Sequence, residues 1–280
     1  MQPLTIGHSP DADDAFIFYA LTHGKIDTRP YRFQHQLQDI ETLNQRALRE
    51  ELDVSAVSVH AYAYLTDRYV LLPCGASIGK GYGPIVVTLR PTSVEGLVGK
   101  KFAVPGERTT AFLVLKLMLG PVDYEVVPFD ETLEAVLSGK ADAGLVIHEG
   151  QITYRDQRLY KAVDLGQWWL EETGLPLPLG ANVARRALGT AVLADLARLL
   201  RESVDYALTH WEEALDYALG WGRGLDLERA DRFVQMYVNH YTQEWGQEGR
   251  QALETLLERA YQAGILPMLP KIEFAGDEVR

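Results

Sequence analysis

The chain has 280 residues, 47% hydrophobic and 24% charged, enough apolar material for one large or two ordinary domains without disulfides. Its 27 Lys and Arg against 39 Asp and Glu leave a net charge of -12 and no basic run, which excludes nucleic acid and anionic membrane as main partners. Cys74 is the single cysteine, excluding an internal disulfide and any CxxC pair, and no window approaches the ~18 consecutive apolar residues of a membrane span.

The opening residues, Met1-Gln2-Pro3-Leu4-Thr5-Ile6-Gly7-His8, lack a basic n-region, an apolar h-region and a cleavage site, so the expectation is a cytoplasmic protein. Residues 4–7 read as a short strand that runs into Ser9-Pro10-Asp11-Ala12-Asp13-Asp14. Ser9 suits a helix cap with Pro10 at the first helical position, and the three aspartates then lie in the first turn, where the macrodipole favours negative charge. Residues 15–21 continue that helix to an end near Gly24. Helix capping accounts for most of the aspartates, although a strand-to-helix turn is also a crevice position.

Tyr31, Phe33, His35 and Leu37 alternate with polar residues, which is strand periodicity, and Asp39 caps a helix bearing Ile40, Leu43, Ala47 and Leu48 on one face. Residues 53–60 form a strand that turns small and polar through Ser55, Ala56, Val57 and Ser58. Those serines either bind a polar ligand, with the local N–H groups, or are satisfied core hydroxyls. Residues 70–73 are a strand, followed by a Gly-rich stretch to Pro84. Gly75-Ala76-Ser77-Ile78-Gly79 fits GxSxG, but a nucleophile elbow must open a helix, which Gly79, Gly81, Gly83 and Pro84 forbid. A P-loop is excluded too, since the spacing to Lys80 is one residue short and Gly81 replaces the Ser/Thr. What remains is a flexible loop carrying Lys80 and Tyr82, either a ligand cover or an ordinary connector.

Residues 84–89 form a strand, and Arg90-Pro91-Thr92 reads as a crossing into a second unit, where the pattern restarts. A strand at 101–104 leads through a Gly turn to Thr109 and Thr110, and then to an apolar helix at 111–119. Two hydroxyls beside free helix N–H groups make an anion site suited to a carboxylate, and capping alone needs only one of them. A strand at 124–127 comes next, then a helix capped by Asp130 that carries Leu133, Val136 and Leu137 and stops at Gly139. The apolar run 143–147 is a buried strand that delivers His148, with Glu149 and Gly150 behind it. Residues just past the carboxyl end of such a strand face the ligand crevice, so His148 either caps the strand or transfers protons. Glu149, as a strand neighbour, is expected on the opposite face.

A strand at 159–163 and a helical turn or two at 168–172 precede Gly174-Leu175-Pro176-Leu177-Pro178-Leu179-Gly180-Ala181-Asn182, which reads as a return crossing. Amphipathic helices are expected at 191–208, 211–219, 227–241 and 247–263. The two crossings imply a two-lobed α/β architecture. Residues 1–90 plus 183–280 would form the larger, discontinuous lobe and 91–182 the smaller, with the ligand cleft between them. The seven histidines show no metal-ligand spacing and no dinucleotide GxGxxG occurs, so neither metal nor cofactor is implied. Acid–base chemistry on a small organic substrate is left, with His148 as the best base.

The two-lobed pattern resembles the type II periplasmic-binding-protein fold. Three stretches in order, Ser9-Pro10-Asp11-Ala12-Asp13-Asp14-Ala15-Phe16, Ile147-His148-Glu149-Gly150-Gln151 and residues 174–182, resemble the 1,4-dihydroxy-6-naphthoate synthases of the futalosine route to menaquinone. The first departs from the form of many relatives, since Asp11, Ala12 and Asp13 stand where those have Cys, Pro and Asn. The resemblance implies a lyase that needs no cofactor and releases the naphthoate from cyclic dehypoxanthinyl futalosine. It implies His148 as the proton acceptor, and Ser55, Ala56, Val57, Thr109 and Thr110 as the residues that bind this small-molecule carboxylate substrate. Two other readings share the fold: a solute-binding protein for a small carboxylate, and a chorismate dehydratase. The missing export signal argues against the first, and the Pro-Leu-Pro-Leu-Gly-Ala-Asn stretch against the second. Oligomeric state is not set by the sequence.

Overall fold

A computed structural model describes residues 1–222 and 224–277, so Arg223 and the last three positions of the expected 183–280 segment lie outside the described residues. β1 (Gln2–His8) leads into α1 (Ala12–Thr22), and the cap is Asp11 instead of Ser9. Asp11 holds an extended backbone and its carboxylate accepts from the Asp14 N–H at 3.3 Å. α1 is buried on every side from Ala12 to Leu21, which explains why its sequence is apolar all round rather than striped. β2 (Tyr31–Leu37) and α2 (Ile40–Leu48) come after it, the latter capped by Asp39 as its position suggests. β3 (Val54–Ser58) stops short of residue 60, because Val59 already begins the one-turn helix α3 (Val59–Tyr62). β4 (Tyr69–Leu71) and β5 (Ser77–Gly79) come next. The Gly-rich stretch is thus partly strand, and it is tied down: Tyr82 donates to the Met236 carbonyl and Lys80 pairs with Glu248 at 2.8 Å.

β6 (Ile85–Thr88) pairs with the second sheet, although the boundary expected at 90 places it in the first lobe. A short apolar strand carries no local mark of which sheet it will join. β7 (Lys101–Val104), α4 (Thr110–Leu119) and β8 (Asp123–Val126) build a parallel unit. α5 (Thr132–Leu137) is entered through a 3-10 turn at Phe129–Glu131, so Asp130 lies inside that turn and is not its cap. β9 (Ala143–Val146), α6 (Gly150–Thr153), β10 (Tyr160–Asp164) and α7 (Leu165–Thr173) complete the second unit, α7 capped by Asp164.

The stretch expected as a bare crossing is the nine-residue strand β11 (Leu177–Arg185), which lies wholly in the first sheet. Pro178 is accommodated because the β5 pairing shifts register between Pro178 and Gly180, a break that removes the need for its N–H. Helices α8 (Thr190–Thr209), α9 (Trp211–Leu219), α10 (Leu227–Tyr237), α11 (His240–Gln243) and α12 (Gly246–Gln262) close the chain. The expected helix 227–241 breaks at Asn239, which starts a new capping box with Thr242. α1 lies under α8, α9 and α10. Among the described residues no helix is long and apolar enough to cross a membrane.

Strand order is β2-β1-β3-β11-β4 in the first sheet, with β5 on β11, and β10-β6-β9-β7-β8 in the second. β1 runs parallel to both neighbours, β2 and β3, while β7 runs parallel to β8 and β9. Each sheet therefore has a topological switch point, and the crevice outside those strand ends is where α/β folds bind ligands.

Candidate active site

The two switch points face each other across an open cavity lined from both sheets. The first sheet contributes Asp11 and Asp13 after β1 and Ala56, Val57 and Ser58 at the end of β3. The second contributes Thr109 and Thr110 after β7 and His148 after β9. Of the residues expected to bind or react, five line the cavity: Ala56, Val57, Thr109, Thr110 and His148. Ser55 does not: its hydroxyl donates to the Ala56 carbonyl at 2.8 Å and it is fully buried. Ser58 takes the wall position, its N–H held by the Asn44 amide at 2.8 Å.

His148 sits in the left-handed region at φ 53, a sharp corner between β9 and α6 that a non-glycine residue adopts only when its surroundings hold it. Gly150 makes the corner possible, since a Cβ there would lie 2.5 Å from Val146 Cγ1. The Gln151 amide, turned to suit its neighbours, donates to the Gly83 carbonyl at 2.6 Å and accepts the His148 N–H at 3.2 Å. Phe129 meets the imidazole edge-on at 4.9 Å between centroids. On the far side, His148 Nδ1 lies 2.8 Å from Asp11 Oδ2, with side-chain exposures of 15% and 3%. An ionised carboxylate only accepts, so Nδ1 carries the hydrogen and Nε2 is the basic nitrogen.

The electrostatics around this pair are unusual. Burial pushes the Asp11 carboxyl up, but the charge and hydrogen bond of His148 hold it below the usual carboxylate range. Asp14 is pushed up to about 8 by burial first and the Asp11 charge second, and its carboxyl accepts the Ser9 N–H at 2.6 Å. Asp13 is raised well above the ordinary range by burial, then by Asp11 and Asp14. Glu149 is 5% exposed and is not among the residues that line the cavity with His148. Strand alternation ends with Val146, and the left-handed turn at His148 redirects the chain beyond it. Among the described residues no group of three or more His, Cys, Asp or Glu is disposed to hold a metal ion.

At the opposite wall, Thr109 caps α4: its hydroxyl accepts the Phe112 N–H at 3.3 Å and donates to Gly106 at 2.8 Å. The Thr110 hydroxyl donates to the Leu179 carbonyl at 2.6 Å and accepts the His60 N–H at 3.2 Å. Both hydroxyls are thus committed to the fold, and the first-turn N–H groups of α4 are what remain for an anion. The Lys80 ammonium, paired with Glu248, does not line the cavity.

Asp11 is the residue that sequence reasoning missed. The signal was there, three aspartates in a strand-to-helix turn where one cap suffices, but nothing in the sequence joins that turn to His148.

Comparison with known proteins bears on what such a site does. A family model described as menaquinone biosynthesis matches residues 4–262. A Thermus thermophilus 1,4-dihydroxy-6-naphthoate synthase is 43% identical over 272 residues, covering 97% of this chain and 98% of its own. A Streptomyces coelicolor protein of the same name is 40% identical over 95% of each chain. The crystal structure of an Archaeoglobus fulgidus protein superposes with a TM-score of 0.90 at 49% identity, over 94% of this chain and 98% of that one. The alkanesulfonate-binding protein SsuA from Xanthomonas axonopodis pv. citri, at 12% identity and a TM-score of 0.72 over 96% of each chain, shares the periplasmic-binding-protein-like fold alone.

Proposed function

Because the chain belongs to the menaquinone-biosynthesis family, we propose that it is a 1,4-dihydroxy-6-naphthoate synthase whose general base is His148, oriented by Asp11. The substrate is cyclic dehypoxanthinyl futalosine. The reaction is a lyase cleavage that leaves the naphthoate and a small fragment from the sugar-derived carbons. The observation that carries the reading is the 2.8 Å contact between His148 Nδ1 and Asp11 Oδ2 inside the inter-lobe cavity.

Each part of the site has a task in that chemistry. The substrate carboxylate is received at the N-terminus of α4, where the N–H groups at Thr110 and Ala111 and the helix dipole favour an anion. The β3 end, from Ala56 to Ser58, supplies the facing wall. His148 Nε2 takes the proton that starts cleavage, while Asp11 keeps the hydrogen on Nδ1 and stabilises the imidazolium as it forms. Asp11 comes from the first lobe and His148 from the second, so the base is complete only with the lobes together, a state that also excludes water.

The test is direct incubation of the purified protein with cyclic dehypoxanthinyl futalosine. Formation of 1,4-dihydroxy-6-naphthoate is the expected result. Tight binding without product would replace the enzyme reading with that of a binding protein.

A further inference from the structure

The turn between β7 and α4 is gripped from the other lobe. Glu41, in the first turn of α2, reaches across, and its Oε2 accepts the Arg108 N–H at 3.2 Å. Gly106 lies flat against the same carboxylate. A Cβ there would come 2.4 Å from Glu41 Oε2, 2.5 Å from its Cγ and 2.6 Å from its Cδ. The φ of Gly106 is not positive, so its backbone would suit alanine, and the closeness of Glu41 is what calls for glycine. The bridge is anchored on both sides. Gln45 donates to Glu41 Oε1 at 2.8 Å, and the fully buried Asn44 directs its Nδ2 to Oε2 at 3.4 Å. Asn44 also donates to the Ser58 hydroxyl at 3.1 Å and accepts the Ser58 N–H at 2.8 Å. Across the cleft, the Gly106 carbonyl accepts the Thr109 hydroxyl that caps α4. A continuous path therefore runs from the β3 wall of the cavity, through Asn44 and Glu41, to the start of α4.

We propose that Glu41 is a positioning residue for the carboxylate receptor. It holds the start of α4 at a fixed separation from the β3 wall, so that the first-turn N–H groups meet the substrate carboxylate. This rests on the reading of the α4 N-terminus as that receptor. Glu41, Asn44 and Gly106 do not line the cavity, so the effect passes through the turn and not through contact with substrate. Two other first-lobe groups steady the same turn. The Arg108 guanidinium stacks on Tyr64, 4.1 Å from its ring centroid, and His60 Nδ1 lies 3.3 Å from the Thr109 carbonyl. Glu41 takes the backbone N–H between those two contacts. A receptor made of backbone N–H groups binds only where the backbone is placed, so a small shift of this turn weakens the hold on an anion.

The experiment measures hydrogen exchange at the Arg108 N–H by NMR in the full chain, beside kcat and KM on the futalosine substrate. The variants are Glu41→Ala, Glu41→Gln, Gly106→Ala and the double Glu41→Ala/Gly106→Ala. Glu41→Ala removes the acceptor, and Gly106→Ala evicts the carboxylate, which is the free end of a flexible side chain. Each should speed Arg108 exchange about tenfold or more and raise KM about tenfold, with kcat within about threefold. Glu41→Gln keeps an acceptor for Arg108 and should hold KM within about threefold of the parent. The three atoms nearest a Cβ at position 106 all belong to Glu41, so the double variant should be no worse than Glu41→Ala alone. Parental exchange and KM in Glu41→Ala would overturn the proposal. So would a fall in kcat at unchanged KM, or KM effects that multiply in the double variant. If the parent gave no naphthoate, the functional reading would fall. Arg108 exchange in Glu41→Ala and Gly106→Ala would still show whether Glu41 holds the turn.

Discussion

Asp11 and His148 meet across the cleft, Oδ2 to Nδ1 at 2.8 Å, one carried by the helix start after β1 and the other by the corner after β9. The carboxylate is 3% exposed and among the described residues pairs with no Lys or Arg, so its charge is directed at the imidazole. Under the proposed function, this pairing ties lobe closure to base strength. An open cleft leaves His148 without its orienting group.

Replacing Asp11 by Asn keeps the volume but removes the charge and lets the imidazole adopt the wrong tautomer. Turnover should fall by about two to four orders of magnitude, with KM changed only severalfold. Steady-state kinetics on the futalosine substrate decide this, and a fall in affinity with unchanged turnover would count against the dyad.

Thr110 is held by two bonds that join the lobes, to the Leu179 carbonyl and from the His60 N–H. Thr110→Val keeps the shape and strands the buried His60 N–H and the half-buried Leu179 carbonyl, so urea denaturation should show a loss of about 1–3 kcal/mol. Thr109→Ser should be close to neutral, because serine caps a helix as well as threonine does.

Stability should peak near pH 6.5. Burial lowers His8 to about 4, with help from His35; His35 itself falls to about 4 and His60 to about 3. A depressed histidine stabilises the fold above its ordinary value of 6.5, and that stability is lost as pH falls toward 4. Asp14 has the opposite sign. Its pKa is raised to about 8, so its contribution is complete below the ordinary carboxylate value of 3.8 and declines as pH rises toward 8. Above 6.5 the histidines add no further slope, while Asp13, raised by the same burial, declines together with Asp14, so the parent should lose about 2 kcal/mol or more by pH 8. Asp14→Asn should make that decline in urea midpoints shallower without abolishing it. A parent more stable at pH 8 than at 6.5 would show that Asp14 is ionised in the fold.

Gly150→Ala brings a Cβ within 2.5 Å of the buried Val146 side chain and pushes α6 away from β9. His148 moves with that corner, so kcat should drop by about tenfold or more, and the urea midpoint should fall by the ~1–3 kcal/mol that overpacking costs. Equal retention of turnover would show that the corner is not needed for catalysis.

What could be read in the sequence was what neighbours in the chain decide. Thr109 and Asp39 were legible as caps, and the apolar run before His148 as a strand, because each depends on residues within a few positions. Ser9 and Asp11 compete for the same capping role, and only the backbone of the turn chooses between them. β6 and β11 each lie between two partner strands that are distant in the chain, a tertiary fact with no local trace. Ser55 was a reasonable wall residue by position, but its hydroxyl is consumed by the Ala56 carbonyl. The Asp11–His148 pair was hidden for the same reason as the sheet assignment, since it forms only when two lobes close on each other.

The most direct measurement is turnover of cyclic dehypoxanthinyl futalosine by the parent and by His148→Asn, prepared side by side with circular dichroism to check folding. The parent should release 1,4-dihydroxy-6-naphthoate, and the folded variant should bind the substrate yet turn over about a hundred- to ten-thousandfold more slowly. A folded His148→Asn protein with parental turnover would contradict the account.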